Sequence, residues 1–202
     1  MTSLALSTYD GPATRRAAQR FVDLYRNVFT EPPWHEDETR VEEFRTRLTD
    51  DTHRPGFRAV VAHLDGCWIG FTTAWPTQPP FPTNRAYGTV RDRLGPDRVD
   101  ELLVGALEID EVAVSPAAQG RGVGGRLLDA TLATAPDCRA WLLTWTTSPQ
   151  AIGFYTRQGW RAAQPVPDSA DEVVVFLSPE HPGSMGAPAQ DARINSSDWI
   201  KS

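Results

Sequence analysis

A chain of 202 residues, 40% hydrophobic and 23% charged, is long enough for one domain with a two-sided core, and no stretch approaches the roughly 18 consecutive apolar residues of a membrane span. A net charge of −6 argues against nucleic acid as a partner, because phosphate binding needs a basic face. Met1 to Pro12 carries no basic cluster ahead of an apolar run, so it does not read as a signal peptide and the expected location is the cytoplasm.

In chain order, the first periodic segment is Ala13 to Phe29, where Ala17, Phe21, Leu24, Tyr25 and Val28 recur at spacings of three and four and predict one face of an amphipathic helix. Thr30-Glu-Pro-Pro33 ends it, and Val41, Phe44 and Leu48 predict a second helix over Glu36 to Leu48. Phe57 to Leu64 and Cys67 to Trp75 read as two strands joined by the hairpin signal Asp65-Gly66. The stretch 76–106, with Pro76, Pro79, Pro80, Pro82 and Pro96, reads as an elaborated connection with weak helical periodicity near Val99 to Leu103.

Leu107 to Val114 is the next predicted strand. Val123 to Ala135 follows as a helix with Val123, Leu127, Leu128 and Leu132 on one face, stopped by Pro136. Arg139 to Trp145 suits a buried strand, Pro149 to Gln158 a short helix, and Glu172 to Leu177 a closing strand, so the order is mixed α and β. Beyond Pro179 the chain turns rich in Pro, Gly, Ser and Ala, a tail either flexible or docked through Trp199 and Ile200. Cys67 and Cys138 have no CxxC partner, and His35, His53, His63 and His181 show no zinc spacing; neither a disulfide framework nor a metal is expected.

The chemistry-bearing segment is Gln119-Gly-Arg-Gly-Val-Gly-Gly125, which places Gly120, Gly122, Gly124 and Gly125 between a strand and an amphipathic helix. Free N–H groups and the dipole at a helix N-terminus favour phosphate, glycine lets the ligand approach the backbone, and Arg121 adds a positive charge. The segment satisfies G-x-G-x-x-G literally, yet no Asp or Glu lies between Asp137 and Asp168 to bind a ribose, and no Gly-Lys-Ser/Thr is present; Rossmann and P-loop sites are both disfavoured.

Val112-Ala-Val-Ser-Pro-Ala-Ala-Gln119-Gly-Arg-Gly-Val-Gly124 resembles the acetyl-CoA signature of the GNAT superfamily of N-acetyltransferases, Q/R-x-x-G-x-G/A after a strand. Ala151-Ile-Gly-Phe-Tyr155-Thr-Arg-Gln-Gly159-Trp160 is similar to the second family segment, and the resemblance spans roughly residues 13 to 177. It implies an α/β fold with a mixed, splayed sheet flanked by helices, one domain over 1–178 with 76–106 inserted between strands, and a tail over 179–202. It further implies acetyl-CoA as co-substrate, its pantetheine arm against the main chain of Val112, Ala113 and Val114, and its pyrophosphate held by Gln119, Gly120, Arg121, Gly122, Val123, Gly124 and Gly125. Ser148 stands where many relatives carry a cofactor-binding asparagine.

Transfer to an amine requires one group to take the ammonium proton and another to protonate the departing thiolate. Tyr155 matches the family's general acid, and Glu108 aligns with the strand glutamate that serves some members as base; Asp110, Glu111 or a water chain are the alternatives. Strand alternation predicts Glu108 and Asp110 on one face and Glu111 on the other. The acceptor is expected to be the amine of a small cationic metabolite or aminated antibiotic, bound between the 29–37 connection and the 76–106 insertion. It is expected to be walled by Phe29, Trp34, Trp75, Phe81 and Tyr87 and attracted by Glu31, Glu36, Glu108, Asp110 and Glu111, with Arg85, Arg91, Arg93 and Arg98 as charges that could cancel them. The protein is expected to be a monomer or homodimer without nucleic-acid or membrane partners. A protein N-terminus or lysine as acceptor, and a non-catalytic acetyl-CoA sensor, remain the competing expectations.

Overall fold

In the computed structural model, which describes residues 4–32 and 34–184, the chain begins with a strand that the sequence reading misses, β1 (Leu4–Asp10). Its last residue caps α1 (Gly11–Arg16), the Asp10 carboxylate accepting from Ala13 N–H at 2.8 Å. A break at Ala17 separates α1 from α2 (Ala18–Phe29), so the single helix expected from Ala13 onward is two. Asp37 caps α3 (Glu38–Asp51) in the same way, accepting from Arg40 N–H at 3.1 Å. Strands β2 (Arg58–Leu64) and β3 (Cys67–Pro76) form the expected hairpin; Asp65 and Gly66 both take positive φ, as a tight two-residue turn between right-twisting strands requires.

The stretch after Pro76 is more ordered than its prolines suggest. It forms α4 (Tyr87–Leu94) and α5 (Pro96–Leu102), and its neck is closed by Thr77 N–H to Ala106 C=O at 2.9 Å and Gly105 N–H to Thr77 C=O at 2.8 Å. Val90, Leu94, Val99 and Leu103 pack with Trp141, Val173, Val175 and Leu177, so the insertion covers one half of the sheet. The remaining elements are β4 (Leu107–Val114), α6 (Val123–Leu132), β5 (Ala140–Trp145), α7 (Pro149–Arg157), the two-residue β6 (Arg161–Ala162) and β7 (Val173–Leu177).

The described strands form one seven-stranded sheet in the order β1-β2-β3-β4-β5-β7-β6. On one face α2 and α3 cover Ala59, Val61, Phe71 and Ala113, with α4 and α5 alongside; on the other, α6 and α7 cover Leu107, Ile109, Leu142 and Phe176. The β4–β5 pair is the weak point. It is parallel and pairs only at Leu107↔Ala140 and Glu108↔Trp141, after which the strands part, giving the mixed, splayed sheet flanked by helices.

Packing continues past the expected boundary at 178, since His181 is buried with Nε2 3.0 Å from Leu102 C=O and Ser184 is buried too. Trp199 and Ile200 lie outside the described residues. Among the described residues no helix is long and apolar enough to cross a membrane, and no cluster of His, Cys, Asp or Glu is grouped to hold a metal ion.

Candidate active site

Where β4 and β5 part, a cleft of about 1130 Å³ opens. It runs from the glycine loop, between Val112–Val114 side and Leu143–Trp145, to the residues that join α2 and α3. Val112 and Val114 line it, whereas the Ala113 side chain turns to the opposite face and packs in the α2–α3 core. Beyond Glu108, β4 has no strand partner on its β5 side, which leaves main-chain groups there available to an extended ligand.

The glycine loop divides into two pairs with different physical reasons. Gly120 and Gly122 adopt φ of +72° and +74°, and a Cβ on either would stand in open space beside the cleft. Gly124 and Gly125 are close-packed instead, since a Cβ would come within 2.9 Å of Phe154 Cζ and 2.6 Å of Gln158 Oε1. They let α6 approach α7. Gly122 caps α6 without any side-chain hydrogen bond, and the first helical acceptor is used by Arg126 N–H to Gly122 C=O, so the N–H groups of Val123, Gly124 and Gly125 point out of the helix start. Gln119 lines the cleft and its amide donates to Val114 C=O at 3.2 Å, tying loop to strand. Arg121 is exposed and outside the lining, while Arg157 of α7, which the sequence reading did not select, is part of it. Ser148 lines the cleft at the start of α7.

Tyr155, on the cleft side of α7, packs against Trp160 and Phe176. Burial, and then the negative charge of Glu111, hold its phenol well above the ordinary tyrosine range, so it stays protonated at neutral pH. Its hydroxyl makes no hydrogen bond among the described residues.

The three acids of β4 do not alternate as expected. Thr73 pairs with Glu111 and Ala74 with Ile109, so Asp110 is the extra residue of a β-bulge. The bulge shifts the strand's phase by one residue and turns Glu111 to the same face as Glu108: Glu108 meets Tyr87 of α4, and Glu111 meets Arg47 of α3 at 3.0 Å. Glu108 is only 6% exposed. The Tyr87 hydroxyl lies 2.7 and 2.9 Å from its two oxygens, with Thr77 Oγ1 at 3.5 Å. Burial first, and then the charge of Asp110, push the Glu108 carboxyl up to about 8. Burial and Asp110 also push Glu111 up, against the pull of Arg47, and Asp110 itself is raised by burial.

A buried carboxylate organises the surroundings of this cluster. Asp51, at the end of α3, accepts from Arg54 Nε at 2.7 Å and from Arg85 Nη2 at 2.8 Å, and Arg85 also approaches Asp110 at 3.6 Å. Arg85 therefore pins the inserted segment to both α3 and the bulge.

Of the aromatic residues expected to wall the acceptor, Trp34 lines the cleft, 37% exposed, with its ring centroid 5.6 Å from that of Phe29. Trp75 and Phe81 do not line it. Trp75 is 1% exposed, stacked on Phe57 beneath the Arg54 guanidinium, and Phe81 is 5% exposed, packed against Tyr87 and Trp141. Both were expected there because their surroundings read as irregular and aromatic, but one faces the α2–α3 core and the other fastens the insertion. Tyr87, expected as a further wall, lines the cleft with its hydroxyl on Glu108, and Arg85, expected to oppose the acids, is paired with Asp51; the residues overlooked were Tyr25, which donates to Glu36 at 2.7 Å, and Arg47. Only the helical periodicity of Tyr25 left a trace in the sequence.

The model of the acetyltransferase (GNAT) family matches residues 18–160. The fold is shared with PH1933 from Pyrococcus horikoshii, at 16% identity and a TM-score of 0.59 over 87% of this chain and 98% of that one. It is likewise similar to PaiA N-acetyltransferase from Thermoplasma acidophilum in complex with coenzyme A, at 11% identity and a TM-score of 0.53 over 87% and 98% of the two chains. A third similar structure is the aminoglycoside N-acetyltransferase AAC(6')-Iy in complex with CoA, at 11% identity and a TM-score of 0.54 over 82% and 93%. No curated protein matches in sequence.

Proposed function

Because the chain belongs to the GNAT acetyltransferase family, we propose that it transfers the acetyl group of acetyl-CoA to a primary amine on a small cationic molecule, by direct attack with both substrates bound. The observation that carries this reading is the continuity of one cleft, which joins the open helix start at Gly122, the parted strands β4 and β5, the Tyr155 phenol and the acids of the bulge. Acetyl-CoA fits this path: phosphate oxygens meet the free N–H groups of α6 and an extended arm meets the unpaired edge of β4. Coenzyme A is bound in two of the similar structures, which favours the same co-substrate here.

At the reacting centre, Glu108 takes a proton from the acceptor's ammonium group and frees the nitrogen lone pair, which attacks the thioester carbonyl carbon. The C–S bond then breaks, the thiolate takes the Tyr155 phenol proton, and the second proton that leaves the acylated nitrogen passes through water to restore the phenol. A carboxylate near 8 is matched to accept a proton close to neutrality, and a phenol raised by burial is still loaded when the thiolate forms.

The acceptor reading rests on charge and shape. The three arginines that line this end, Arg40, Arg47 and Arg85, are each paired with a carboxylate, while Glu36 and Glu108 accept hydrogen bonds from uncharged hydroxyl groups. No described arginine there is left to receive an anionic substrate, and Glu36 beside the exposed face of Trp34 suits a cation. The test is thiol release from acetyl-CoA with a panel of polyamines, aminoglycosides, amino sugars, amino acids and short peptides. Turnover on small cationic amines is expected. Faster turnover on peptides overturns the acceptor class, and CoA binding with no thiol release for any acceptor overturns catalysis in favour of a sensor.

A further inference from the structure

The inserted segment 76–106, which the family motifs do not cover, reaches the acid cluster through Thr77, Arg85 and Tyr87, and Tyr87 makes the shortest contact. Tyr87, the first residue of α4, is buried against Phe81 and Trp141, and its hydroxyl faces both oxygens of Glu108 at 2.7 and 2.9 Å. A phenol has one proton to give, so this is a shared bond that fixes the carboxylate plane. We propose that Tyr87 is a positioning residue, whose phenol pins Glu108 and keeps that carboxylate available as a proton acceptor.

Every group that faces Glu108 bears on this. On β4 the nearest charge is Asp110, which with burial opposes ionisation. Tyr87 is the first of the groups that favour the ionised form, followed by Arg54 from the turn after α3 and Arg85 from the segment before α4. Thr77, at the insertion's neck, and the Trp141 indole that donates to it at 2.8 Å are uncharged. Removing the phenol proton donor therefore leaves Asp110 and burial less opposed, and Glu108 holds its proton to higher pH. Burial in turn pushes the Tyr87 phenol up, so it remains a donor wherever Glu108 titrates.

This rests on Glu108 as the proton acceptor proposed above, so the test reads Glu108 directly and needs no acceptor. In the full-length protein labelled with ¹³C at the glutamate δ-carboxyl, the Glu108 resonance is the one lost in Glu108→Gln. It is expected to titrate near 8 in the wild type and about one pH unit higher in Tyr87→Phe, which keeps the ring and its packing. Glu111, assigned through Glu111→Gln, should keep its midpoint. A second measurement needs no variant at Tyr87: its ¹³Cζ resonance in the wild type should shift at the Glu108 midpoint. An unmoved Glu108 midpoint in Tyr87→Phe, or a Tyr87 resonance indifferent to that titration, overturns the proposal. Full turnover by Glu108→Gln would instead remove Glu108 as base while leaving the carboxyl titration intact, so the two failures are distinguishable.

Discussion

At the scale of single residues, the two proposed proton carriers differ in how far the sequence exposed them. Tyr155 sits inside a recognisable segment, and its helix carries it to the cleft. Replacement by phenylalanine keeps the packing on Trp160 and Phe176 and removes only the proton; turnover is expected to fall about 10²-fold with CoA affinity unchanged, measured by steady-state kinetics and titration calorimetry. A wild-type rate would make Tyr155 a packing residue. Glu108 stands out in an acidic strand through its resemblance to the family's strand glutamate, but alternation alone misplaces Glu111 relative to it, because a bulge intervenes. With Glu108 as base, kcat/KM should rise as pH passes about 8, because the carboxyl must lose its proton before it can accept one, and Glu108→Gln should abolish that rise.

At the scale of elements, the glycine loop shows that a motif combines unlike requirements. Gly122→Val should weaken CoA binding, because the new side chain stands in the cleft at a left-handed φ; it is read as loss of the CoA-dependent increase in Tm. Gly124→Ala should act on the fold instead: its Cβ would press on Phe154, and the strain between α6 and α7 should cost about 1–3 kcal/mol in denaturant unfolding without CoA. If both variants behave alike, the division of labour fails. The inserted helices make the converse point. Their prolines suggested an irregular connection, whereas Asp51 recruits Arg85 and thereby fastens them to α3. Asp51→Ala leaves Arg54 and Arg85 without their buried partner and should destabilise the protein by about 3 kcal/mol.

For the whole molecule, the buried acids predict how stability depends on pH. Glu108 and Glu111 have folded values near 8 against an ordinary 4.5, so between those limits the unfolded chain releases protons that the folded chain keeps. Their contribution is fully present below about 4.5 and is lost as pH rises toward 8. His181, held below its ordinary range by burial, acts oppositely as pH falls below 6.5, so the carboxyl effect is best read above that value. Tm should decline from pH 6.5 to 8, and less steeply in Glu108→Gln; an equal slope in both would show that Glu108 ionises normally. By itself the sequence determined the family, the alternation of strands and helices, the glycine loop and Tyr155, because periodicity, turn chemistry and short motifs are local properties of the chain. Only the tertiary structure decided which acids share a face, that Trp75 and Phe81 are buried away from the cleft, and that Tyr87 meets Glu108. Each of those depends on a strand register or on a contact between segments distant in sequence: a single bulged residue reverses a face, and no local pattern records what packs against it.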